Sequence, residues 1–117
     1  MAKHIDFGKI GEDTAVVFLK SLSHEILLQN FRHGHGEIDI ISKDKEELVF
    51  VEVKARSSNH FGYPEEAVSE KKKEKIMEAA QAYIEEIEWQ GSFRFDVIAL
   101  TKNGQNFDVY HIKDAFS

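Results

Sequence analysis

The chain has 117 residues, 42% hydrophobic and 31% charged, which is the length and balance of one ordinary globular domain. Its net charge of −6 counts against a protein that coats nucleic acid electrostatically, and less against a nuclease, whose acids hold a metal. The lack of cysteine excludes disulfides and thiolate metal sites and fits a cytoplasmic setting; no signal peptide is expected in residues 1–9, and no apolar run is long enough to expect a membrane span.

A first helix is predicted from about Gly8 to Leu22, with Ala15, Val16, Leu19 and Leu22 as its apolar stripe. Glu25 to Phe31 reads as a strand, and His33-Gly-His-Gly36 as the turn after it. Glu37 to Ile41 and Leu48 to Lys54 are rich in β-branched residues and read as two strands joined by the polar turn Lys43 to Glu47. The loop Ser57 to Pro64 holds the single proline. Ser69 is a good N-cap for a long helix ending near Glu88, with a stripe of Val68, Ile76, Ala79, Ala80, Tyr83, Ile84 and Ile87. Two more strands follow, Phe93 to Leu100 and Phe107 to Ile112, joined by Lys102-Asn-Gly104, whose Asn-Gly pair is a strong hairpin signal. The order α-β-β-β-α-β-β predicts an α/β or α+β sandwich around one central mixed sheet flanked by helices, in one domain over residues 1–117.

The central hairpin carries the chemistry. With Lys45 and Glu46 as its central turn residues, Lys43 falls opposite Leu48, Ile41 opposite Phe50, Asp39 opposite Glu52 and Glu37 opposite Lys54, all on one face. The other face carries Ile38, Ile40, Val49, Val51 and Val53, so the sheet is expected to be covered on both sides. Opposed carboxylates about 5 Å apart destabilise a sheet unless a cation or a proton separates them. Mg²⁺ takes this ligand set, completed by a carbonyl and waters. Lys54, two residues beyond Glu52, is placed to orient an attacking water and stabilise phosphoryl charge. The competing reading makes Glu37–Lys54 a plain ion pair and Glu52 a solvated edge residue.

Other polar residues admit two readings each. Glu12 precedes Ala15, Val16 and Leu19 on the buried stripe, where a carboxylate needs a partner, yet a glutamate early in a helix is also favoured by the dipole. The run Lys71-Lys-Lys-Glu-Lys75 suits a solvated helix face; Lys72 and Lys75 are the members placed to turn toward the sheet and a substrate. Arg56 continues the Glu52–Lys54 face and suits either a phosphate or a surface acid. His33 and His35 lack further ligands and read as turn residues. Phe61, Tyr63 and Trp89 suit a core, base stacking or a partner subunit equally. No Gly-rich phosphate loop and no Ser- or Cys-based nucleophile is marked.

Gly11-Glu12, Gly36-Glu-Ile-Asp-Ile-Ile41, Phe50-Val-Glu-Val-Lys-Ala-Arg56, the Phe61-Gly62 and Pro64 loop, Arg94-Phe-Asp-Val97 and Ile112-Lys-Asp-Ala-Phe116 together resemble the YraN family of small bacterial proteins. The resemblance covers nearly the whole chain. That family is similar in turn to archaeal Holliday-junction resolvases and the wider PD-(D/E)XK nucleases. The resemblance implies a restriction-endonuclease-like fold and a metal-dependent endonuclease acting on branched or otherwise structured DNA, and it leaves room for a homodimer. By motif, Glu12 matches the helix glutamate, Asp39 the first metal carboxylate, and Glu52 and Lys54 the E-x-K pair, with Ile38 where the superfamily's name has proline. The expectation is then Mg²⁺- or Mn²⁺-dependent hydrolysis of DNA phosphodiesters. Asp39 and Glu52 hold the metal, Glu12 supports it, Lys54 orients the water, and Arg56, Lys72 and Lys75 meet the substrate. The alternative is a non-catalytic nucleic-acid or protein-binding module that retains the nuclease fold.

Overall fold

Residues 48–52 and 95–100 are buried without interruption, the pattern of strands covered on both faces. In a computed structural model, which describes residues 7–57 and 68–117, these two runs lie side by side as the parallel centre of a five-stranded sheet. The elements are α1 (Phe7–Ser21), β1 (Glu25–His33), β2 (Gly36–Asp44), β3 (Glu47–Arg56), α2 (Glu70–Ile87), β4 (Phe93–Asn103) and β5 (Asn106–Phe116). Sheet order follows chain order, every neighbouring pair is antiparallel except β3–β4, and α2 is the crossover that makes that pair parallel. This mixed sheet between helices has the element order expected from the sequence, and it is the restriction-endonuclease-like α/β arrangement that the family resemblance implied. The expected loop aromatics Phe61 and Tyr63, with Pro64, lie outside the described residues.

Each helix covers one face. On one side, Ala15 and Leu19 of α1 pack on Ile40, Val49, Val51, Ile98 and Leu100. On the other, Ile76, Ala79, Ala80 and Tyr83 of α2 pack on Ile38, Ile41, Phe50, Phe95 and Val97. Two residues expected in the stripes are at the helix ends and stay 42% exposed: Leu22 lies beyond the last turn of α1, and Ile87 closes α2. Ser69 caps α2, its Oγ accepting the Lys72 N–H at 3.2 Å, and Glu88 ends the helix in a left-handed conformation. The β4–β5 turn is centred on Gly104 and Gln105, one residue later than the Asn-Gly signal suggests, because Asn103 and Asn106 already pair. Strand β5 continues to Phe116, past its expected end at Ile112, and Phe116 stacks on Phe95 with centroids 5.0 Å apart.

The hairpin of β2 and β3 turns at Lys45 and Glu46, with Lys45 at φ 57°, and pairs in the expected register from Asp44–Glu47 to Ile40–Val51. Beyond that point β2 turns over. Ile38 and Ile40, which a regular strand would put on one face, sit in opposite cores, Ile38 under α2 and Ile40 under α1. The cause is visible in β1: Gln29 pairs with Ile40 and Phe31 with Ile38, while Asn30, between them, takes a left-handed φ of 56°. The ladder therefore stops short of the expected Asp39–Glu52 and Glu37–Lys54 pairs, and Glu37 instead meets Arg32 at 3.1 Å.

On the α1 face, near the hairpin turn, Asp96 is fully buried and tightly bound. Arg94 Nε donates to Asp96 Oδ1 at 2.9 Å, His111 Nε2 donates to Oδ2 at 2.8 Å, and the Asp114 N–H donates to Oδ1 at 3.0 Å. The same guanidinium reaches Glu47 at 2.8 Å and Asp44 at 3.3 Å, so one arginine ties the hairpin turn to β4. Burial alone would raise the Asp96 pKa; the bonds from His111, Arg94 and Asp114 outweigh it and hold the carboxyl below its usual range.

Two stability predictions follow from this packing. A side chain at Gly36 would collide with the Lys75 carbonyl on the α2 backbone, so Gly36→Ala is expected to cost about 2 kcal/mol in urea unfolding. Asp96→Asn, which leaves Arg94 and His111 without their shared anion, is expected to cost about 3 kcal/mol at neutral pH.

Candidate active site

Where β2 and β3 part, a side chain takes over from the backbone. Asp39 Oδ2 accepts the Val53 N–H at 2.8 Å, so the carboxylate closes the fork that the turned-over strand opens. This draws Asp39 within hydrogen-bond reach of Glu52, which stands on buried β3 at 5% exposure. Burial is the main reason the Asp39 pKa is pushed up to about 8, followed by the hydrogen bond and the charge of Glu52; the Val53 N–H and Lys72 act the other way. Without a cation, the Asp39 carboxyl therefore keeps its proton at neutral pH beside Glu52.

Two lysines face this pair. Lys72, in the first turn of α2, brings its Nζ to 2.5 Å from Glu52 Oε2. The approach lies outside hydrogen-bond angles, so this buried oxygen is held by charge and receives no well-aligned hydrogen bond. Burial works against the Lys72 charge, but Glu52, Asp39 and Lys54 together raise its pKa. Lys54 lies within hydrogen-bond reach of Lys72, and its own pKa is lowered, first by burial and then by the Lys72 charge.

Glu12 comes from the other side of the sheet. Its Oε2 accepts from Asn30 Nδ2 at 3.0 Å and Gln29 Nε2 at 3.2 Å. With Gly8, Lys9, Asn30, Asp39 and Val53 it lines a cavity of about 340 Å³, so Glu12 and Asp39 open onto the same space. Among the described residues, however, no three acids or histidines converge into a metal-holding group. What is assembled is the Asp39–Glu52 pair, with Glu12 across the cavity. Arg56 is half-buried at the end of β3, Lys75 is half-buried with its carbonyl against Gly36, and His33 and His35 are exposed at the β1–β2 turn. Trp89 closes the α2–β4 connection, donating Nε1 to the Ser92 carbonyl at 2.9 Å.

Sequence reasoning missed Asn30 and the Val53 N–H. Asn30 carried a usable signal, since asparagine tolerates the left-handed region better than most residues and stands in an otherwise strand-like run. Nothing in the sequence marks the Val53 N–H.

These residues fit a hard divalent cation. Two carboxyl groups meet with the Asp39 pKa pushed up, one buried oxygen of Glu52 lacks an aligned donor, and the cavity beside Asp39 has room for coordinating water.

Comparison with known proteins places this constellation in a family. The profile of the Uncharacterised protein family UPF0102 matches residues 11–100. The chain belongs to the UPF0102 family. That is the YraN family its motifs resemble, and the matched stretch contains Glu12, Asp39, Glu52, Lys54 and Lys72. A UPF0102 protein of Cytophaga hutchinsonii is 45% identical over 112 residues, covering 96% of each chain. One from Sulfurihydrogenibium sp. is 45% identical over 111 residues, 94% of this chain and 93% of the relative. A third, from Bacteroides thetaiotaomicron, is 42% identical over 116 residues, 99% of this chain and 96% of the relative. The UPF0102 match thus spans the fold from α1 through β4 and takes in every element that lines the site.

The raised Asp39 pKa makes a signed prediction for the metal-free protein. A carboxyl that holds its proton when folded, but loses it near pH 4 when unfolded, contributes stability that is full below pH 4 and lost as pH rises toward about 8. Asp39→Asn keeps an acceptor for Val53 and removes that titration. Urea unfolding in EDTA should therefore show the variant gaining on the parent between pH 5 and pH 8. Parallel pH profiles would show that Asp39 carries no such shift.

Proposed function

We propose that this UPF0102 protein is a Mg²⁺- or Mn²⁺-dependent endonuclease that hydrolyses DNA phosphodiester bonds, with branched or structured DNA as its substrate class. The observation that carries the reading is the buried Asp39–Glu52 pair, held in contact at the strand fork with two lysines against it. A soluble protein gains nothing in stability from pressing two acids together, so the arrangement is best understood as a cation site.

In this reading Asp39 and Glu52 hold the metal and Glu12 supports its water shell from across the cavity. The bound cation supplies a Lewis acid for the phosphoryl group and a water of lowered pKa. Lys54 orients that water and offsets charge on the phosphoryl oxygens; its lowered pKa reflects a partly dry setting in which such an interaction is strengthened. Arg56, Lys72 and Lys75 are the cations that meet the phosphate backbone, and a homodimer would join two such patches into a longer track. A cytoplasmic location belongs to the same reading. No helix of the described residues is long and apolar enough to cross a membrane.

One observation favours a second reading. Glu12 is satisfied by two amides and stands apart from the acidic pair, as a non-catalytic binding module with a nuclease fold would allow. Cleavage assays on branched, flapped and linear DNA with Mg²⁺ or Mn²⁺ separate the two. Asp39→Ala and Lys54→Ala are each expected to lower the rate by about a hundredfold or more, with Glu12→Gln losing less. Metal-independent DNA binding that survives Asp39→Ala, with no cleavage by the parent protein, would establish the module instead.

A further inference from the structure

Lysines in the first turn of a helix oppose its dipole, and α2 begins Glu70-Lys71-Lys72-Lys73. Lys73 is answered by Glu70 at 3.1 Å and by the face of Phe116. Lys72 is answered by Glu52, on a different element and almost fully buried, and its position is fixed by the Ser69 cap that accepts its N–H. Its ammonium also feels Asp39 and touches Lys54. The Lys72 charge therefore stands against both acids of the pair, on a buried oxygen that has no aligned donor.

We propose that Lys72 is a built-in occupant of the cation site, neutralising Glu52 in the metal-free protein and giving way when a divalent cation binds. The inference rests on the metal-site reading of Asp39 and Glu52. An oxygen that ligates a dication cannot keep an ammonium in ion-pair contact without strong like-charge repulsion. The Lys72 side chain is 42% exposed, so it has solvent to move into, whereas Glu52 at 4% has none. The exchange keeps the acids countered in both states: the fold does not lose its charge balance when metal is scarce, and the cation must compete to enter. Once displaced, the ammonium stands at the mouth of the site, where a phosphate backbone would meet it. Lys72 is thus a positioning residue for Glu52 first and a substrate contact second.

Two measurements on the full chain test this. Titration calorimetry with Mn²⁺ should show Lys72→Gln binding about tenfold or more tighter than the parent, because the competitor is gone, while Lys72→Arg stays close to the parent. In the unmodified protein, competitive acetylation read by peptide mass mapping should show Lys72 labelled several-fold faster when Mn²⁺ saturates the site. Parent protein that binds Mn²⁺ with Lys72 labelling unchanged or slowed would overturn the proposal and leave the metal site standing, even if Lys72→Gln does not fold. Weaker Mn²⁺ binding by a folded Lys72→Gln would do the same. Failure of the parent to bind Mn²⁺ at all would remove the metal-site reading and this proposal with it.

Discussion

Two carboxyl groups within hydrogen-bond reach inside a protein set the terms for everything around them. Each would be better solvated apart, and Asp39 cannot ionise freely beside Glu52. The structure holds them together from three directions. Asp39 is turned inward where β2 changes face and is tied to the Val53 N–H; Glu52 stands on a strand buried from both sides; Lys72 descends from α2 to the remaining oxygen. Even Gly36 serves this arrangement, because its missing side chain lets the α2 backbone approach the start of β2 closely.

The two faces of the sheet divide the work. Under α2, the polar groups around Glu52 are strained electrostatically, with the Lys72 pKa up, the Lys54 pKa down and the neighbouring Asp39 held protonated. Under α1, at the far end of the same hairpin, the Arg94–Asp96–His111 cluster is satisfied on every side. That cluster fastens the turn of β2 and β3 to β4 and β5, so the hairpin is anchored at one end and open at the other. A fork that must keep two acids in contact benefits from rigidity at its base.

The hairpin register was legible in the sequence because a two-residue turn and strict alternation leave few ways to pair the strands, and the observed pairs follow it from Asp44 to Ile40. The Ser69 cap and the extent of α2 were legible for the same local reason. What alternation could not reveal was the reversal at Asp39, since its cause lies in the left-handed Asn30 of the neighbouring strand. Ile38 consequently changes cores and Glu37 turns to Arg32 instead of Lys54. Periodicity also extends stripes past the ends of helices, which is why Leu22 and Ile87 look internal and are not. The Arg94 cluster draws on positions from 44 to 114, and only its Arg94–Asp96 contact is local in sequence.

A net charge of −6 weighs against a DNA partner only if charge is averaged over the molecule. Along α2 it is sorted. The first turn carries three lysines beside Glu70, the second half carries Glu85 and Glu86, and the last turn has no basic residue. Each end opposes the helix dipole, at a cost of roughly 0.3–1 kcal/mol per charge near the termini. Stability alone would favour the reverse order. The observed order sets Lys72, in the first turn of the helix, against Glu52 of the acidic pair and leaves Glu85 and Glu86 at the far end. The lysine-rich start of α2 therefore stands beside the acidic pair, and a polyanion approaching the fork would meet that local charge and not the average over the chain.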